Sequence, residues 1–298
     1  MTRRGLLDAV AAYALWGLFP AYFLLMQPVG PFEIVVWRIL FSLAFCLIVI
    51  AVLRRWRPLL TVLRSRRSVL LLGVGAVLVY ANWQMYVWAV TTGHVVEAAL
   101  GYFINPIVTV FLGVVFLRER LRIAQWIAVA ISAAAVVVLI IGYGQAPWIA
   151  LTLAASFGGY SLVKNRVGRT VDALSGLAIE TAVATPIALI QLVIIGATTG
   201  IVFGSAGGWN TLIVSTAGIV TAVPLLLFAS AARRLPLSLL GLVQYLTPLL
   251  QFLYGVLIAH EPMPVERWIG FALVWVALGV LIADSLLASR RHAPTIAA

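Results

Sequence analysis

Ten apolar runs of about 20 residues each fill nearly the whole chain, and no other feature limits its fold so sharply. They lie at roughly 5–26, 31–53, 69–91, 94–117, 123–142, 147–163, 173–195, 211–231, 237–259 and 268–287. A helix of that length spans the hydrocarbon core of a bilayer. One such run could be the buried helix of a soluble domain, whereas ten leave no segment from which such a domain could be built. Charged residues make up 10% of the chain, against about 25% in soluble domains. The first run, Gly5 to Met26, follows Arg3 and Arg4 much as a signal peptide would. It is too long for a signal's apolar core and no small-residue cleavage site closes it, so it is expected to be a retained helix. Cys46 is the single cysteine, which excludes an intramolecular disulfide and a cysteine-rich metal site.

The net charge of +11 raises the question of a nucleic-acid partner, and the placement of the charges answers it. With the N-terminus in the cytoplasm, eighteen of the 20 basic residues fall on cytoplasmic segments. They are Arg3 and Arg4, the arginines from Arg54 to Arg67, those at 118, 120 and 122, Lys164, Arg166 and Arg169, Arg233 and Arg234, and Arg290 and Arg291. Arg267 falls outside and Arg38 within a helix. This is the positive-inside distribution of a membrane protein with both termini cytoplasmic, so the basicity is topological and no nucleic acid is expected. The loop from Arg54 to Ser68 is the one notable cytoplasmic connection, and its arginines also suit anionic lipid.

The chain repeats itself. At an offset of 142 residues and without gaps, Leu100, Pro106, Gly113, Glu119, Trp126, Ile127, Leu139 and Ile140 fall on Leu242, Pro248, Gly255, Glu261, Trp268, Ile269, Leu281 and Ile282. Near the start the offset is one less, with Trp16 and Gly17 falling on Phe157 and Gly158. The repeat pairs helices 1–5 with 6–10, giving halves 1–144 and 145–298. Five is odd, so the second copy enters the membrane the other way round. Glu119 lies among Arg118, Arg120 and Arg122, while its counterpart Glu261 has His260, Pro262 and Pro264 beside it. The expected fold is therefore an all-α membrane protein of ten transmembrane helices in two inverted five-helix repeats. Inverted repeats are how many secondary transporters are built, with the substrate site near the midplane between halves. Gly73, Gly75, Gly101, Gly113, Gly158, Gly159, Gly241 and Gly255 suit close helix packing. Pro106 and Pro248 are expected mid-helix as bends, either shaping the packing or exposing a carbonyl to substrate.

Longer strings carry a family resemblance. Residues 11–23 read AAYALWGLFPAYF, residues 97–106 EAALGYFINP followed by LRER at 117–120, residues 218–226 GIVTAVPLL, and residues 239–245 LLGLVQY. Together they resemble the RarD-type permeases of the EamA branch of the drug/metabolite transporter superfamily, from about residue 5 to 288. The resemblance implies a multi-pass permease of the bacterial inner membrane that moves small organic molecules outward. Members of the family tend to carry histidine just before the helix 2 arginine, where this chain has Trp37, so proton coupling here would need another group.

Ionisable groups in the hydrocarbon cost roughly 2.5–3.5 kcal/mol on insertion scales, so each requires an explanation. Arg38, about ten Å into helix 2 at 1.5 Å per residue, must find an acceptor. A structural clamp with Glu97 and a contact with anionic substrate are both open, and Glu33, about 140° round the helix, is a poorer partner. Glu97 could instead exchange a proton or sit solvated at a helix end. Glu180 has no basic residue at helical spacing on its own helix, so it faces a partner, water or the pathway. Asp8 and Asp284 are expected to be solvated. Asn82, Asn105, Gln244 and Gln251 either tie helices together or bind substrate. Trp16, Tyr22, Trp83, Tyr86, Trp88, Tyr102 and Tyr245 could wall a pocket for aromatic or amphipathic solutes, or belong to interfacial belts. Trp56, Trp126 and Trp268 are assigned to the interfaces.

No HExxH, paired aspartates at metal spacing or GxSxG elbow occurs. His94, His260 and His292 are too scattered for a metal site, and no repeated filter suggests a channel. The chain reads as a transporter rather than an enzyme, without cofactor or metal, meeting a small-molecule substrate and the lipid bilayer. The alternatives are a structural or regulatory membrane protein and an intramembrane enzyme.

Overall fold

The computed structural model describes residues 3–117, 121–143, 146–167, 170–232, 234–235 and 243–291. Glu119, Arg118, Arg120 and Gly241 lie outside them. Among the described residues the chain is all-helical, with α1 (Arg3–Gly17), α2 (Phe19–Leu24), α3 (Pro31–Val52), α4 (Trp56–Arg64), α5 (Arg66–Thr91), α6 (Val95–Leu117), α7 (Ile123–Tyr143), α8 (Trp148–Val167), α9 (Ala173–Thr198), α10 (Gly208–Ser215), α11 (Ala217–Ala232), α12 (Leu246–Leu257) and α13 (Val265–Arg291). Among the described residues six stretches are long and apolar enough to cross a membrane: Pro31–Val52, Arg66–Thr91, Ile123–Ile141, Ala173–Thr198, Gly208–Phe228 and Val265–Asp284.

Local chemistry sets the helix ends. Asp172 caps α9 by accepting from Ser175 N at 3.1 Å, and Ser65 caps α5 by accepting from Ser68 N at 3.3 Å. Leu18 separates α1 from α2 just before Pro20, which has no N–H to give to the Trp16 carbonyl. Gln251 Nε2 on α12 donates to that carbonyl instead, at 3.2 Å. Four residues earlier on the same face, Thr247 Oγ1 donates to Tyr13 O at 2.7 Å. Two of the expected features differ. Pro106 lies inside α6 as expected, but Pro248 stands in the first turn of α12, where a missing N–H interrupts no helix bond. The Arg54–Ser68 connection contains a helix, α4, with Leu59 and Val62 buried and Trp56, Leu60 and Leu63 exposed.

The principal helix pairings are α7 with α13, α6 with α8, α3 with α9, α5 with α8, α1 with α11, α3 with α11, α6 with α12, α1 with α12 and α5 with α9. Exchange α1 for α8, α3 for α9, α5 for α11, α6 for α12 and α7 for α13, and each of these pairings becomes itself or another in the set. One apolar cluster gathers Phe19, Phe23, Ile34, Ile39, Tyr86 and Leu153, and a second joins α6, α7, α12 and α13 around Phe103, Phe252 and Phe271. The outer surface is apolar as well: Ile141, Ile190 and Val193 are 77%, 63% and 72% exposed. Water does not support such a surface, and lipid does. Trp56, Trp126 and Trp268 are on it too.

Glycines set the closest approaches. A Cβ on Gly17 would lie 2.7 Å from Leu250 Cβ, and one on Gly158 would lie 3.2 Å from Val108 Cγ1, so the α1–α12 and α6–α8 contacts use equivalent positions. At Gly218 on α11 a Cβ would overlap the backbone carbonyl of Phe41 on α3, which has no side-chain freedom to yield. Gly218→Ala is expected to destabilise by about 1–3 kcal/mol, the usual range for overpacking. Gly73→Ala, with nothing within 4 Å, should leave stability unchanged or slightly raised. Thermal unfolding of the two purified variants in one detergent checks this.

Candidate functional site

Arg38 is at the centre of the candidate site. It is buried in α3 at 4% exposure. Its Nε donates to Thr221 Oγ1 on α11 at 3.0 Å, and its guanidinium carbon lies 4.0 Å from the Trp83 ring centre. Phe19 and Phe23 of α2 stand at 5.3 and 5.4 Å. A desolvated cation over such rings gains about 2 kcal/mol or more, which offsets much of the roughly 2.5–3.5 kcal/mol insertion cost. Nη1 is buried and has no hydrogen-bond partner.

The Arg38–Glu97 clamp is not formed. Glu97, half-buried in the first turn of α6, accepts from Ile149 N at the start of α8 at 3.2 Å. Glu33 is not the partner either: it accepts from Trp37 Nε1 at 3.0 Å and from Val202 N and Phe203 N at 3.0 and 2.8 Å. Glu261 accepts from Val95 N at 2.5 Å and Val96 N at 2.9 Å, the first residues of α6. Burial pushes its carboxyl above the ordinary value, and the two N–H groups pull it back. At this end of the bundle three carboxylates thus hold backbone N–H groups, Glu261 and Glu97 at helix starts, where negative charge is favoured, and Glu33 in the loop before α10. The fit is physical: a helix start has donors without partners, and a carboxylate is an acceptor-only group. A half-open cleft of about 130 Å³ lies there, lined by His94, Glu97, Trp148, Arg267 and Phe271.

Glu180, 2% exposed, does find a partner. Lys164 Nζ on α8 is 2.9 Å from its Oε1, and Tyr160 donates to its Oε2 at 3.1 Å. Glu180 and Trp83 line one narrow cleft together with Ile39 and Tyr80. Asp8 and Asp284 are paired rather than simply solvated. Asp284 meets Arg122 at 2.9 Å, and Asp8 accepts from Ser230 Oγ at 2.6 Å with Arg234 at 3.5 Å.

Of the aromatic set, Tyr86 and Tyr102 meet edge to face at 5.5 Å, and Tyr86 meets Phe23 at 6.0 Å. The Tyr86 hydroxyl is buried without a partner. Tyr22 donates to Ile213 O at 3.0 Å, beside the break between α10 and α11, with Thr216 Oγ1 also at 3.0 Å. Trp16 packs on the first cluster and also meets Tyr13 and Phe228, Trp88 stacks on His94, and Tyr245 packs on the second cluster. Among the amides, Asn82 is a junction: it donates to Leu153 O at 3.2 Å and Ser156 Oγ at 3.1 Å and accepts from Tyr102 at 3.1 Å. Asn105 faces Gly158 on α8, Gln244 lies half-buried in the turn before α12, and Gln251 holds the Trp16 carbonyl. Phe19, Phe23, Thr221 and Lys164 are the neighbours that sequence reasoning did not place at these sites. Their signals were faint: two phenylalanines one helical turn apart, a lone hydroxyl in an apolar run, and a lysine at a helix end opposite the following helix.

The comparisons with known proteins agree with this architecture. The model of the EamA-like transporter family matches twice, over residues 3–141 and 146–283. Protein RarD of Streptomyces exfoliatus is 46% identical over 99% of this chain and 96% of its own length. Protein RarD of Escherichia coli K12 is 41% identical over 97% of each, and the uncharacterized transporter YojE of Bacillus subtilis is 40% identical over 93% of each. A solved crystal structure at 21% identity covers 98% of this chain and 100% of its own with a TM-score of 0.60, which bears on the fold alone. The chain belongs to the EamA-like transporter family, within which it is a RarD-type permease. It is a membrane transporter with a small-molecule substrate.

Asn82→Leu removes three bonds that join α5, α6 and α8, at about 0.6 kcal/mol each for interhelical bonds in lipid. It is expected to lower the midpoint of thermal unfolding more than Gln251→Leu, which removes one. Equal midpoints would show that Asn82 is not a junction.

Proposed function

We propose that the protein is a secondary transporter of ten membrane spans, two five-helix halves (1–144 and 145–298) in opposite orientation, exporting small organic solutes across the bacterial inner membrane by alternating access. The observation that carries this reading is the set of helix pairings, which exchange with one another when the two halves are swapped. The double match of one family model and the offset of 142 residues support the same duplication. An odd number of spans per half requires the inversion. The arginine-rich end is then cytoplasmic, and the end where Glu33, Glu97 and Glu261 hold backbone N–H groups faces outward.

Arg38, Trp83, Tyr86 and Tyr102 line the substrate path at the meeting of α2, α3, α5, α6 and α11. Asn82, Asn105, Gln244, Gln251, Trp16, Tyr22 and Tyr245 position the helices around it. Glu180, with Lys164 and Tyr160, is the proton-coupling group, because its carboxyl is buried beside the cleft that Trp83 also lines. Glu97 closes the outer end rather than carrying the proton.

In proteoliposomes with an imposed pH gradient, solute flux is expected to follow the gradient, and Glu180→Gln to abolish that dependence. Wild-type flux indifferent to the gradient would remove proton coupling. Arg38→Ala should reduce flux to the level of empty vesicles, and Arg64→Ala should not; equal activities would exclude Arg38 from the path. Orientation has its own test. In a Cys46→Ser background, Ser205→Cys should react with an impermeant maleimide in intact cells, and Thr61→Cys only after the membrane is opened.

A further inference from the structure

Among the described residues, Arg38 is the buried cation with no acidic side chain to balance it. Eight of the nine acidic residues are among those described, and none lies within ion-pair distance of Arg38. Nη1 has no hydrogen-bond partner at all, although buried donors are almost always paired. Thr221 fixes Nε and Trp83 lies against the guanidinium, so the group is oriented before any ligand arrives. The neighbouring Tyr86 hydroxyl is a second buried donor without a partner. Rings pack about both donors: Phe19, Phe23 and Trp83 against Arg38, and Phe23 and Tyr102 against Tyr86.

We infer that the transported solute is an amphipathic organic monoanion whose carboxylate seats on Arg38 Nη1 and the Tyr86 hydroxyl, with its apolar or aromatic body against Phe19, Phe23 and Trp83. A guanidinium edge matches a carboxylate in shape and charge. One positive charge balances one negative charge, so a phosphate ester with two charges would remain half unpaired in a low-dielectric site. A neutral solute could accept a hydrogen bond from Nη1 but would leave the buried positive charge unbalanced. At 4% exposure the group does not reach lipid headgroups. This inference rests on the transport reading, since it assigns a cargo to the path proposed above.

The test uses purified full-length protein in detergent, with phenylacetate and hippurate as probes and their primary amides as neutral matches. Binding is read by quenching of tryptophan fluorescence and by the unfolding temperature. The acids are expected to bind at least about tenfold more tightly than the amides, a difference an added charge-assisted bond readily produces. Arg38→Gln should erase that preference, Arg38→Lys should keep part of it because charge remains while the fork is lost, and Tyr86→Phe should weaken only the acids. Amides that bind as well as acids, or no acid binding, would overturn the inference. So would a preference that survives in folded Arg38→Gln. Should Arg38→Gln fail to fold, the wild-type ratio and Tyr86→Phe decide. Flux of the same compounds in vesicles separates the two readings. Acid binding without flux removes the transport reading and keeps the site, whereas flux without acid preference does the reverse.

Discussion

Lipid offers no partner to a backbone N–H or C=O, and the helix breaks described inside this bundle are closed accordingly. Where Pro20 withholds its N–H, Gln251 supplies one from another helix. Where α6 and α8 begin, Glu261 and Glu97 accept from their leading N–H groups. Where the chain runs irregularly at Val202 and Phe203, Glu33 does the same. Polar side chains that resemble active groups in a list of residues are thus largely occupied in closing the main chain. Among the buried charges described, Arg38 stands out because Glu33, Glu180 and Glu261 each have partners on both carboxylate oxygens.

Much of the fold was legible because the hydrocarbon core fixes helix length and the repeat fixes helix order. The breaks within spans were not. Pro20 and the hydroxyl-rich turn at Thr216 were visible as residues, but a proline in a membrane helix bends or breaks it according to what replaces its bond. That replacement came from residue 251. The partner of Arg38 was missed for a related reason. A carboxylate was expected by charge balance, whereas rings and a single hydroxyl from α11 surround it. Glu180 and Lys164 could have been joined from sequence, since the short connection from α8 to α9 keeps the end of one helix within a long side chain's reach of the start of the next. The short helix α4 was also there to be read, in the spacing of Leu59, Val62 and Leu63 among arginines.

The two ends of the bundle are built from different chemistry. At one, carboxylates hold neutral backbone groups; at the other, Asp8 and Asp284 hold Arg234 and Arg122, alongside the Asp172 cap of α9. Ion pairs of partly exposed side chains contribute little stability and are weakened by salt. Carboxylate-to-N–H contacts close to a helix start are directional and tie a loop to a particular turn. On the proposed mechanism the two ends must open in alternation, and they would be expected to do so with different sensitivities to ionic strength and pH.

Gly218 has a consequence of another kind. Where two helices meet through side chains, rotamers can exchange and one helix can slip a notch along its neighbour. At Phe41 and Gly218 the main chains themselves touch, so no layer remains to act as a bearing. Helices α3 and α11 are held in register there, and on the proposed mechanism whatever shifts must shift around that weld.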